Sequence, residues 1–214
     1  MAEAALPGAA KRLRFGILDD NPIYRQLLGM CPTLAVTATM AGAVTMAAAT
    51  AFVLIMANVV VSLLRSRLKG HLRILVFTLT IATFVTIVDR VLAAYFYEMS
   101  MLLGRYVPLI IVNCIIICRC EVCASRQGPG VAVADAVGQA LGFLLGLASI
   151  AAVREILATG RIWVTKDFAG VQVLPSSWPG WAVMQGPAGA FITLGILMGL
   201  VNWLSLRKRK HPGN

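Results

Sequence analysis

Three long stretches of this chain, residues 26–64, 74–88 and 136–153, contain no charged side chain at all. Blocks of this kind are the mark of membrane spans, because a helix needs about 20 apolar residues to cross the hydrocarbon core. Composition agrees: 59% of the 214 residues are hydrophobic, 13% are charged, and mean hydropathy is +0.82. That leaves too little polar surface for an ordinary water-soluble domain. Lipid offers no partner to a free backbone N–H or C=O, and the alternating pattern of a closed barrel is missing, so the spans are expected to be helical. The fold class predicted is an all-α integral membrane protein.

Six segments can be counted, at about residues 27–44, 47–64, 72–95, 106–118, 131–153 and 181–206. The stretch before them, with Lys11, Arg12, Arg14, Asp19, Asp20 and Arg25, is too polar for a signal peptide, so the first span is expected to act as its own anchor. The division expected is a cytoplasmic N-terminal segment (1–25), one membrane domain (26–206) and a basic cytoplasmic tail (207–214). Lys and Arg fall mainly in the "KRLR" at Lys11, the "RSRLKGHLR" from Arg65 to Arg73, the stretch from Arg119 to Arg126, and the tail Arg207, Lys208, Arg209 and Lys210. By the positive-inside rule these pieces and both termini are cytoplasmic. A turn near Val44, the Glu98 region and the loop starting at Arg154 then face the other side. The formal charge of +10 follows from this topology and from anionic headgroups, with no nucleic-acid partner implied. Trp163, Trp178 and Trp181, with Pro175 and Pro179, read as aromatic anchors of a loop at the membrane interface.

Two segments are irregular. Only 13 uncharged residues separate Arg105 from Arg119, about 20 Å as a helix against a core of about 30 Å. The first segment carries Pro32 near its start and the small, hydroxyl-rich "TATMAGAVT" of 37–45. Laying "PTLAVT" from Pro32 over "PLIIVN" from Pro108 suggests two inverted three-helix repeats, about 26–100 and 101–206, whose first and fourth segments are short or broken. Broken backbone at membrane depth survives only in protein or beside a cavity, so the breaks mark a functional centre or a subunit interface.

Cys31 and Cys114 sit at these breaks, each about 7 to 9 Å inside the cytoplasmic edge if the backbone were regular helix. Buried cysteine is often a small hydrophobe and nothing more. The alternative is thiolate ligation of iron, for which a [2Fe–2S] cluster takes four ligands. Among other polar groups, Asp89 and adjacent Arg90 are expected near the outer end of the third span, and Asn58 and Asn113 as interhelical hydrogen-bond partners. His71 and His211 stand alone among basic residues, and no catalytic triad, nucleotide loop or acid pair is present.

"NPIYRQLLGMCPTLAVT" from Asn21 and "YVPLIIVNC" ending at Cys114 resemble the paired signatures of the E-subunit family of Rnf-type electron-transport complexes, to which the D-subunit of the sodium-translocating NADH:quinone reductase is homologous. The resemblance extends to "FVLIMANVVVSLLR" from Phe52 and "GFLLGLASIAAVREIL" from Gly142. It implies a membrane subunit of a ferredoxin:NAD oxidoreductase in the bacterial cytoplasmic membrane. Its partners would be the A-subunit of the same complex and flavin-bearing membrane subunits, and the work would be coupled to sodium or proton translocation. It further implies one [2Fe–2S] cluster shared with that A-subunit, with Cys31 and Cys114 as this chain's iron ligands. The sequence departs from the family in "IIICRCEVC", where Cys118, Cys120 and Cys123 replace small or apolar residues; a zinc site, alternative ligands and plain reduced thiols all remain open there. The competing reading is a small inverted-repeat secondary transporter whose cysteines are structural.

Overall fold

In the computed structural model of the chain, the described residues are 21–65, 72–95, 97–162, 171–172 and 181–210. Their regular structure is helical apart from a two-residue antiparallel pair, Arg161–Ile162 (β1) with Val171–Gln172 (β2). The helices are α1 (Met30–Val36), α2 (Met40–Leu64), α3 (Arg73–Tyr95), α4 (Tyr97–Leu103), α5 (Cys114–Arg119), α6 (Pro129–Thr159), α7 (Ala182–Gln185) and α8 (Pro187–Lys210). A 3-10 turn at Val107–Ile110 precedes α5, and a π-helical turn at Cys120–Ala124 follows it. Much of the interface loop, the "KRLR" stretch, all of residues 66–71 with His71, and His211 lie outside the described residues.

Among the described residues, five stretches are long and apolar enough to cross a membrane: Met40–Leu64, Arg73–Tyr95, Val107–Ala124, Pro129–Thr159 and Pro187–Leu204. The expected first span is not among them. Residues 27–44 instead form a tight turn, the seven-residue α1, a break, and the first turn of α2. The anticipated turn near Val44 lies inside α2, because Thr39 caps that helix five residues earlier, its hydroxyl accepting from the Gly42 N–H at 3.3 Å. The short fourth segment runs on to Ala124 by changing helix type twice. Arg154, placed at the start of a loop by the charge pattern, lies inside the 31-residue α6.

α2 and α6 form the centre and run antiparallel. At one end the Met40 N–H donates to the Glu155 carboxylate at 2.8 Å; at the other the Ser62 hydroxyl donates to the Gln127 carbonyl at 2.8 Å. Each half thus supplies a short helix, a break and a long helix, and the two long helices cross in opposite directions, as an inverted repeat requires. The seam is rich in alanine: Ala43, Ala47 and Ala57 on α2 and Ala132, Ala136, Ala140 and Ala151 on α6 are buried. Where lipid removes the hydrophobic drive between helices, small residues let backbones approach and gain dispersion contact. The ion pairs Arg73–Glu121 (3.2 Å) and Arg119–Asp135 (2.8 Å) lie at the same end as Ser62 and Gln127. Arg73, at the end of one central basic stretch, and Arg119, at the start of the other, therefore share one end of the bundle.

The halves correspond by their cysteines, not by their prolines. Pro32 is the third residue of α1, where its missing N–H would have no intrahelical partner, whereas Pro108 belongs to the 3-10 turn that precedes α5.

The entry segment is fastened to the middle of α6. The Asn21 amide donates to the Gly142 carbonyl at 3.0 Å, while its oxygen accepts from the N–H groups of Ile23 (3.0 Å) and Tyr24 (3.2 Å). Ile23 fills the notch left by Gly146, where an added Cβ would lie 2.6 Å from its Cδ1, and the Tyr24 hydroxyl pairs with Ser149 at 2.5 Å. Among the described residues, packing on α6 already includes Asn21, within the segment expected to be cytoplasmic. Asn21→Leu, which removes the donor and the acceptor together, is expected to cost about 2–4 kcal/mol, since each buried partner left unsatisfied costs about 1–3 kcal/mol. The fall in thermal unfolding midpoint in detergent checks this, with Arg25→Lys, a charge-conserving change at an exposed neighbour, expected to be near neutral.

Candidate functional site

The helix starts that carry the two cysteines singled out from the sequence meet at Gly29. Cys31 is the second residue of α1 and Cys114 the first of α5, and the Gly29 N–H donates to the Cys114 Sγ at 3.0 Å. Both are free thiols, and both are exposed on the surface of this chain. The contact exists because Gly29 adopts φ +77°, which turns its N–H away from the chain path and starts α1. The ring of Phe143 closes over the same glycine, 2.6 Å from where a Cβ would stand.

Phe143 lies near the middle of α6, a helix about 46 Å long and so longer than the core of about 30 Å. The Gly29 turn, and with it the Cys114 sulfur, thus lies beside the middle of α6, where regular helix placed both cysteines toward one end of their spans.

Asn113 is held differently from expectation. It caps its own helix, its side-chain oxygen accepting from the Ile115 N–H at 3.2 Å, and so fixes where α5 and Cys114 begin. Asn58 likewise donates within α2, to the Leu54 carbonyl at 2.8 Å, instead of across helices. Asp89 is half-buried on α3, and Arg90 lines a shallow, mostly apolar cleft with Ile87, Val91 and Tyr95.

Cys118 shares the α5 face with Cys114, while Cys120 and Cys123 are buried in the π turn. Among the described residues no three His, Cys, Asp or Glu side chains are grouped to hold a metal ion. Two exposed thiols at adjoining helix starts have the soft donor chemistry that iron–sulfur centres take, and they amount to half of a four-ligand set.

Sequence reasoning missed Arg154. Its side chain is 1% exposed; Nε donates to the Met184 carbonyl (3.1 Å), and the two terminal nitrogens donate to Thr37 Oγ1 (2.6 Å) and to the carbonyls of Gln185 (3.1 Å) and Gly186 (3.0 Å). The signal was present in "TATMAGAVT" and in Gly186–Pro187: helix breaks leave orphan carbonyls, and an intramembrane arginine is a natural donor to them.

Comparison with known proteins decides the family. A family described as "Rnf-Nqr subunit, membrane protein" matches residues 9–198. The chain belongs to the Rnf-Nqr family. Its relatives include the E-subunit of the Na(+)-translocating ferredoxin:NAD(+) oxidoreductase complex of Acetobacterium woodii, 43% identical over 193 residues covering 90% of this chain and 95% of the relative. The E-subunit of the ion-translocating oxidoreductase complex of Methanosarcina acetivorans is 41% identical over 201 residues, covering 92% of each chain. The equivalent subunit of Rhodobacter capsulatus is 37% identical over 207 residues, covering 93% of this chain and 85% of the relative. The Rnf-Nqr assignment and the apolar helices together make this a multi-pass membrane protein, a member of a family of subunits of redox-linked ion-translocating complexes.

Proposed function

We propose that this chain is the E-subunit of an Rnf-type ferredoxin:NAD oxidoreductase and that Cys31 and Cys114 supply two ligands of an intramembrane [2Fe–2S] cluster shared with the A-subunit of that complex. The work is coupled to sodium or proton translocation, flavin-bearing membrane subunits are further neighbours, and both termini face the cytoplasm. The observation that carries the reading is the Gly29 N–H bond to the Cys114 sulfur, which joins the two cysteine-bearing helix starts while leaving both thiols exposed toward a partner.

When bound, such a cluster passes one electron at a time. The residues here would hold it and exclude water. Cys31 and Cys114 present sulfur from two helix starts fixed by Gly29 and Asn113. The Gly29 N–H donates to the Cys114 sulfur, and hydrogen bonds to sulfur are among the groups that set a cluster's potential. Phe143 and the neighbouring apolar side chains limit solvent, and a dry surround strengthens each of these interactions.

The test is the iron content and the electron paramagnetic resonance spectrum of the reduced, purified assembly, with Cys31→Ser and Cys114→Ser beside the parent. One [2Fe–2S] signal is expected to vanish in each variant while the assembly still forms. Absence of that signal from the parent, or its persistence in both variants, removes the relay reading and leaves the secondary-transporter reading in its place.

A further inference from the structure

Arg154 stands at one end of a line of hydrogen bonds whose other end is Cys114. Its guanidinium donates to Thr37 Oγ1 at 2.6 Å. The Thr37 hydroxyl donates to the Thr33 carbonyl at 2.5 Å, and the Thr33 hydroxyl donates to the Gly29 carbonyl at 2.8 Å. The Gly29 N–H donates to the Cys114 Sγ at 3.0 Å. Thr33 and Thr37 are 1% and 0% exposed, so no water competes along this face of α1.

Cys31 rides on the same helix. α1 has seven residues and no side-chain cap at its N-terminus, too short to be stable by its own hydrogen bonds. Its position is therefore set by what grips it. Gly29 is gripped by Phe143, and the far end is gripped by Arg154, whose remaining donors hold the carbonyls of Met184, Gln185 and Gly186 before α8. A planar fork with five donors suits this task, since one side chain ties two helix breaks together.

We infer that Arg154 is a positioning residue that, through the Thr37–Thr33 hydroxyl line along α1, fixes the cysteine-bearing helix start relative to Cys114. The inference rests on the shared-cluster reading only for why that placement matters. It ties the α7–α8 break to the sulfur pair, so the second half of the chain sets the geometry of a ligand in the first.

Thr37→Val tests it, because valine keeps the shape and removes the hydroxyl, and Arg154 keeps its three carbonyl partners. Thr37→Ser restores the hydroxyl, and Thr45→Val removes a hydroxyl on α2 that donates to the Ala41 carbonyl of its own helix. In the full-length chain in membranes, the yield of a short bis-thiol crosslink between Cys31 and Cys114, identified by peptide mass, is expected to fall about fivefold in Thr37→Val, the factor that loss of one ordinary hydrogen bond gives. Thr37→Ser and Thr45→Val are expected to stay near the parent. In the reduced assembly the Cys31-dependent signal is expected to change its g-values in Thr37→Val and to recover them in Thr37→Ser. Equal crosslinking in parent and Thr37→Val overturns the inference. A parent assembly with no such iron signal overturns the cluster reading instead, and the crosslinking comparison then decides the role of Arg154 alone.

Discussion

Chains carrying Arg154→Leu are expected not to accumulate in folded form. Leucine removes the guanidinium donors that meet the carbonyls of Met184, Gln185 and Gly186, and it takes away the donor to Thr37 Oγ1. Each buried acceptor left unsatisfied costs about 1–3 kcal/mol, so three carbonyls alone approach the total stability of about 5–15 kcal/mol typical of a folded domain. Arg154→Lys is expected to fall between: an ammonium carries three donors but reaches as a point, not as a fork. Fluorescence-detected size-exclusion chromatography after a heating series ranks the three chains. Parent-like behaviour of Arg154→Leu would mean that the two helix breaks are held by packing and not by the guanidinium.

The breaks are also where the sequence was hardest to read. Long uncharged blocks made α3 legible almost to the residue, 72–95 expected against Arg73–Tyr95 found, because a lipid-facing helix has no signal competing with its hydropathy. The same rule failed for residues 27–44. Hydropathy measures whether a residue tolerates burial and not how the backbone runs; Pro32, Thr33 and Val36 of α1 and Gly42 and Ala43 of α2 are buried in protein, so one apolar block concealed a helix, a break and another helix. Charge patterning failed at Arg154 for a related reason. A lone arginine beside an apolar block reads as a loop residue, and only its four acceptors, drawn from positions 37 and 184–186, show it to be interior. The cysteine pair was legible as candidates through Pro32 and the short fourth segment, and through the family motifs. Their place beside the middle of α6 was not, since it depends on Gly29 meeting Phe143 across more than a hundred residues of chain.

Gly29→Ala is expected to destabilise the chain by about 2–4 kcal/mol and to remove the Cys31-dependent iron signal from the assembly. Two costs combine. A left-handed φ of +77° costs an alanine about 1–2 kcal/mol relative to glycine. The new Cβ would also stand 2.6 Å from Phe143 Cε2, so ring or turn must shift, and a shift of the turn carries the N–H away from Cys114 and tilts α1 with Cys31 on it. The costs separate in a double-mutant cycle. Phe143→Leu shortens the side chain and should return about 1 kcal/mol or more to Gly29→Ala while leaving the backbone cost in place, a coupling of the size seen for residues in contact. Gly128→Ala is the control, because its φ is −70° and nothing lies within 4 Å of its added Cβ. Should Gly29→Ala unfold at the same temperature as Gly128→Ala and keep its iron signal, the left-handed turn would not be what holds the Cys31 helix against Cys114. The placement of the two thiols would then have to come from Arg154 and Asn113 alone.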